Sequence, residues 1–154
     1  MELTGVRVEL PTNQPIVLLR ERAGERYLPI WIGAAEAAAI ALSLQGVATP
    51  RPMTHDLLKT ILEDLSVSVQ RINVTELRDS TFFATIELDR QGQDLTVSSR
   101  PSDAIALAVR MSVPIFASED VLDEASILIP GDEEEEVEKF REFLDNVSPE
   151  DFES

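Results

Sequence analysis

Read for hydrophobic spacing, the chain divides into short segments of two different periods. Val6-Arg7-Val8-Glu9-Leu10 alternates apolar and polar positions, as a half-buried strand does. Pro11-Thr12-Asn13-Gln14-Pro15 then turns the chain. Ile16-Val17-Leu18-Leu19-Arg20 is a nearly continuous apolar run, which predicts a buried strand. Tyr27-Leu28-Pro29-Ile30-Trp31-Ile32 predicts a third, placed at an edge or a bulge because Pro29 has no N–H for a ladder. From Gly33 to about Gln45 the pattern is helical and ends at Gly46, the expected C-terminal cap. This helix is rich in alanine and apolar nearly all round, so it is expected to be buried.

Leu57, Leu58, Ile61, Leu65 and their neighbours recur at helical spacing, with Lys59, Glu63 and Asp64 opposite, which predicts an amphipathic helix. Val67 and Val69, then Ile72 and Val74, alternate with a slip of phase, so a strand with a bulge near Arg71 is expected. Phe82, Ala84, Ile86 and Leu88 mark the next strand. Gln91-Gly92-Gln93 makes a hairpin into another, carrying Leu95 and Val97. A helix from Arg100 to about Arg110, again apolar nearly all round, leads to a short strand at Val113–Phe116. A brief helix capped by Ser118 and a last strand at Ile127–Ile129 follow. Strands and helices do not alternate one for one. The expected fold is therefore α+β: a mixed or antiparallel sheet packed with about three buried helices.

Val137, Phe140, Leu144 and Val147 form one stripe of a further amphipathic helix, which begins beside Glu133–Glu136. We read residues 1–131 as one compact domain and 132–154 as an acidic helical tail. Net charge is −16, and the tail alone holds eleven acids against two bases. The body is acidic as well, which weighs against a broad nucleic-acid footprint. With no cysteine and one histidine, disulfides, thiolate metal sites and multi-histidine zinc sites within one chain are excluded. Between Tyr27 and Pro50 the only charge is Glu36, but Pro29, Gly33 and Gly46 interrupt the run. A strand and helix explain it better than a membrane span. The first residues lack the basic and apolar regions of a signal peptide, so a soluble cytoplasmic protein is expected.

Two stretches echo each other: Arg51-Pro52-Met53-Thr54-His55-Asp56 and Arg100-Pro101-Ser102-Asp103-Ala104-Ile105. Each combines an early proline with an acid suited to the positive end of a helix dipole. Each also begins with an arginine, which that dipole disfavours, so a carboxylate or an incoming phosphate should compensate it. Glu36, Asp56 and Asp103 all fall in the first turn of a predicted helix. Their simplest role is to complement the dipole. The alternative is convergence with Arg51, Arg100 and His55 into one site. There Glu36, Asp56 and Asp103 would hold a magnesium or manganese ion through hard oxygen ligands. Arg51 and Arg100 would bind phosphate, and His55, with Asp56 and Asp103, would carry the catalytic proton chemistry.

Leu28-Pro29-Ile30-Trp31-Ile32-Gly33 with Glu36-Ala37, the two echo stretches, and Val121-Leu122-Asp123-Glu124-Ala125 together resemble the bifunctional nuclease domain family. The resemblance runs from about Val6 to Pro130. It implies hydrolysis of phosphodiester bonds in DNA, RNA or both, with help from a divalent cation. A non-catalytic regulatory or assembly module is the rival reading, and a small-metabolite binder using the two arginines is a third. Two helices apolar on nearly every side are hard to enclose in about 130 residues, so a homodimer is expected.

Overall fold

The computed structural model describes residues 2–9, 15–22 and 24–128; for the first eight, only the backbone is described. The predicted tail and the boundary at residue 131 lie outside the described residues. The elements are β1 (Glu2–Glu9), β2 (Ile16–Glu21), β3 (Arg26–Trp31), α1 (Ala34–Leu44), α2 (Thr54–Asp64) and β4 (Val67–Arg78). They continue with β5 (Thr81–Arg90), β6 (Gln93–Ser99), α3 (Pro101–Met111), β7 (Ile115–Ala117), α4 (Glu119–Ala125) and β8 (Ile127–Leu128). The strands form one sheet in the order β6-β5-β4-β7-β1-β2-β3-β8. Among these strands only β4 and β7 run parallel, joined through β5, β6 and α3; every other pairing is antiparallel. The fold is α+β, with a mixed sheet.

Local chemistry explains the joints. The β4–β5 register shifts between Val69 and Arg71, the expected bulge, and again between Val74 and Glu76. Asp79-Ser80 and Gln91-Gly92 all have positive φ, the geometry of tight two-residue hairpins matched to strand twist. Gly46, at φ +69°, follows α1, and Val47 N–H donates back to the Leu42 carbonyl at 3.0 Å. That left-handed step is one glycine takes without strain. Strand β3 lies one place from the edge. The two-residue β8 pairs only with Arg26 and Tyr27, so no described strand flanks Pro29 on its outer side.

One main core fills the space between sheet and helices. Val17, Leu19, Leu28, Ile30, Ile72, Val74, Phe82 and Ala84 supply the sheet side. Ala37 and Ile40 of α1, Ala104–Ala106 of α3, and Val121 and Leu122 of α4 supply the other. Helix α3 is buried as its pattern predicts. Two expectations fail here. Helix α1 is not enclosed: only Ala37 and Ile40 are buried, while Ala34, Ala35 and Ala38 stand in the open. Alanine suits an open wall as well as a core, so its periodicity does not distinguish them. Helix α2 packs mainly on α3, touches the sheet only at β4, and buries only His55. Its apolar stripe faces out, with Leu57 50% and Leu65 63% exposed.

Candidate functional site

The starts of α1, α2 and α3 open onto one cleft of about 800 Å³. Its walls are largely apolar, from Ala35, Ala38, Ala39 and Leu42 of α1 and from Met53 and Leu58. Its charged lining is balanced: Glu36, Asp56 and Asp103 against Lys59, Arg100 and Arg110. The chain's strong negative charge is therefore not repeated in the cleft. Five of the six candidate residues, Glu36, His55, Asp56, Asp103 and Arg100, line it.

Arg100 is the centre of this group. Its Nη2 lies 2.6 Å from Glu36 Oε1 and 2.9 Å from Asp103 Oδ2, and its Nε donates to the same Asp103 oxygen at 3.0 Å. Pairing with Glu36 first, and then Asp103, raises the guanidinium further above its ordinary range. Its Nη1 has no partner among the described residues. Gly33, the residue before α1, makes room for this arrangement, since a Cβ there would collide with Glu36 Oε2.

Asp103 serves a second partner. Its Oδ1 is 2.9 Å from His55 Nε2, and the His55 residue is only 6% exposed. Burial alone would push the Asp103 carboxyl up, but the bonds from His55 and Arg100 outweigh it and leave it below its usual value. With Nε2–H donating to the carboxylate, the neutral ring keeps its lone pair on Nδ1. No described residue bonds to that nitrogen.

Asp56 is committed elsewhere. Its Oδ1 accepts from Arg110 Nε at 2.7 Å, and its Oδ2 accepts from Met53 N–H at 3.1 Å. Arg110 first, and the Met53 amide second, hold this carboxyl below the ordinary range. The Arg110 side chain is 6% exposed and also donates to the Ala39 and Ala106 carbonyls, both at 2.9 Å. It thereby ties α1, α2 and α3 together. Sequence reasoning missed this residue, whose only signal was a basic side chain in the last turn of an apolar helix. Arg51 departs from expectation in the other direction. It is exposed, does not line the cleft and makes no ion pair among the described residues. The two echo arginines thus differ, and a site using both for one ligand is not assembled.

The domain model for bifunctional nucleases matches residues 17–130, most of the chain. The chain belongs to the bifunctional nuclease domain family. An uncharacterized protein of Mycobacterium tuberculosis is 50% identical over 161 residues, which span 99% of this chain and 96% of that one. Bifunctional nuclease 2 of Arabidopsis thaliana is 30% identical over 69% of this chain and 34% of its own length. Bifunctional nuclease 1 of Oryza sativa subsp. indica is 27% identical over 67% of this chain and 32% of its own. The chain thus corresponds to about a third of these plant nucleases. In this bifunctional nuclease domain, the stretches around Glu36, His55 and Arg100 surround the cleft. The fourth, Val121–Ala125, is the core-facing part of α4, with Val121, Leu122 and Ala125 buried.

The residues do not, as they stand, fit a divalent cation. Among the described residues no three acidic or histidine side chains are grouped to share one. Glu36 and Asp103 instead share a nitrogen of Arg100, and Asp56 is held by Arg110.

Proposed function

We propose that this cleft hydrolyses phosphodiester bonds of DNA, RNA or both, in a cytoplasmic protein. The observation that carries the reading is the contact between His55, Asp103 and Arg100 in the cleft of a bifunctional nuclease domain. Arg100 offers Nη1 to a phosphate oxygen and stabilises charge that develops there during attack. His55, through Nδ1, takes a proton from the attacking hydroxyl or water and returns it to the leaving oxygen as the P–O bond breaks. Asp103 is a positioning residue that holds the imidazole in that tautomer. Asp56 and Arg110 keep the three helices in register.

The test is cleavage of single-stranded RNA and DNA by purified protein, with magnesium, with manganese and with chelator. His55→Gln is expected to lower the rate at least about 100-fold, the usual weight of one proton-transfer group, in protein that circular dichroism shows to be still folded. Asp103→Asn should lower it too and alter the pH–rate profile, which a merely structural residue would not do. Cleavage unchanged in His55→Gln combined with Arg100→Ala would identify a contaminant and end the proposal. Complete loss of cleavage in chelator would mean that Glu36 and Asp103 exchange Arg100 for an ion.

The open stripe of α2 favours an assembly role beside catalysis. Leu57, Ile61 and Leu65 are exposed along the helix. We propose that two copies pair through it, since a twofold interface is the commonest way to cover such a surface.

A further inference from the structure

The charges that line the cleft are not shared out evenly. Arg100 has two carboxylates, Glu36 and Asp103, for its one guanidinium. Arg110 has Asp56, a match of one to one. Lys59 has none: among the described residues it makes no ion pair. Its hydrogen bond, at 3.5 Å, runs to the Arg110 carbonyl. A carbonyl oxygen at that distance offers a dipole and no neutralising charge. The cation left over in the cleft is therefore Lys59, and its side chain is half-buried there.

This distribution bears on how a nucleic-acid strand is held. A phosphate at Arg100 meets a group with more negative than positive charge, so that contact alone anchors it weakly. The remaining attraction lies at Lys59, one helical turn beyond His55 on the same side of α2. The two cations are too far apart to share one phosphate. Asp103 holds Arg100, and Lys59 ends beside the Arg110 carbonyl. These anchors are seven residues apart on α3, roughly 10 Å at ~1.5 Å per residue. One phosphate bridges at most about 8 Å between two nitrogens, with charge-assisted bonds of ~2.8 Å to two of its oxygens. The cleft, at about 800 Å³, is far larger than one phosphate requires, and the apolar wall of Ala38, Ala39 and Leu42 leaves room for a nucleoside.

We infer that Lys59 binds a second phosphate of the strand whose first phosphate sits at Arg100. The substrate is then a polynucleotide held at two linkages, and a dinucleoside monophosphate meets only half of the site. This rests on the nuclease reading of the cleft, but it concerns binding, which is measured apart from hydrolysis. The competing role for Lys59 is structural, as a cation at the C-terminal end of α3, where the helix dipole favours one.

The test is fluorescence anisotropy of dye-labelled thymidine oligomers with one, two, three and four linkages, titrated with full-length protein in the cold. Affinity should step up about tenfold where the strand first reaches Lys59, at the second or third linkage, as one added charge-assisted contact does. Making that last linkage a neutral methylphosphonate should return the affinity to that of the shorter oligomer. In Lys59→Gln the step should vanish, and the salt slope for the longer oligomers should fall by about 0.7, one phosphate contact on a single strand. Lys59→Arg should keep the step. Affinity that climbs smoothly with length in the wild type overturns the second phosphate position, and that result needs no variant to fold. A step that survives in Lys59→Gln assigns Lys59 to capping α3 and also overturns it. The recovered oligomers are scored for cleavage. If none is cut while a Lys59-dependent step is present, the hydrolysis reading falls and the two-phosphate site stands.

Discussion

Arg110 shows how one side chain can hold a site together without touching its chemistry. Its guanidinium is nearly enclosed, yet each of its bonds ends on a different helix or on its own preceding turn. Arg110→Met keeps the bulk and removes the charge, leaving two carbonyls and Asp56 without their donor. Breaking such a pair costs about 3 kcal/mol, toward the low end of the buried range because Asp56 is partly solvated. Chemical unfolding at neutral pH measures that loss. The pH dependence follows from the depressed Asp56 carboxyl. In the unfolded chain Asp56 takes its proton near pH 4, whereas the folded pair resists it to lower pH. The wild-type advantage is therefore complete above about pH 4 and fades as pH falls further. The gap between wild type and variant should narrow along the same path, and a gap that widens in acid would refute this account. Arg100 and Asp103 were legible in the sequence, because a cation and an acid three residues apart meet across the first helical turn. The Arg110 pairing was not, since Asp56 is 54 positions away and the other acceptors are backbone.

At the scale of elements, helices with apolar patterns have different fates here. Helix α4 buries Val121 and Leu122 in the main core, while α2 shows its leucines to solvent. Leu122→Ala should therefore cost about 2–5 kcal/mol, through lost burial and a residual cavity. Ile61→Lys with Leu65→Lys should cost under about 1 kcal/mol in dilute protein, as exposed substitutions do. Denaturant melts of the two variants compare them directly. A double lysine variant as damaging as Leu122→Ala would place the α2 stripe inside a core. The slip of phase in β4 was readable because a bulge moves the apolar set to the other parity, and the structure places the shift beside Arg71. Its second bulge leaves the same mark, the slip of parity from Val74 to Leu77, which the sequence reading did not use.

For the whole molecule, the two large apolar surfaces call for different covers. The sheet's second face is already sealed at Ile16, Leu18 and Trp31, whereas the α2 stripe is open. The stripe is thus where a second copy should pair. Sedimentation equilibrium at micromolar concentration and moderate salt is expected to show a dimer, and Ile61→Lys with Leu65→Lys a monomer. A wild-type monomer at high micromolar concentration would remove the proposed pairing and leave the cleft unaffected. The charge balance of the cleft belongs to this scale too. A chain of net charge −16 still presents phosphate with as many cations as carboxylates, because folding gathers Lys59, Arg100 and Arg110 in one place.

Periodicity and turn chemistry were enough to establish the α+β class, nearly every element and the caps and hairpins. These depend on neighbours within about four residues, and so do the Arg-Pro starts of α2 and α3 that carry the candidate residues. Which apolar face is buried depended on the tertiary structure, because an alanine wall and an alanine core have the same spacing. The same holds for the partners of the charged groups. Only the packing of α1, α2 and α3 on one another brings Glu36, His55 and Asp103 to a single arginine, while Arg51 remains outside the cleft.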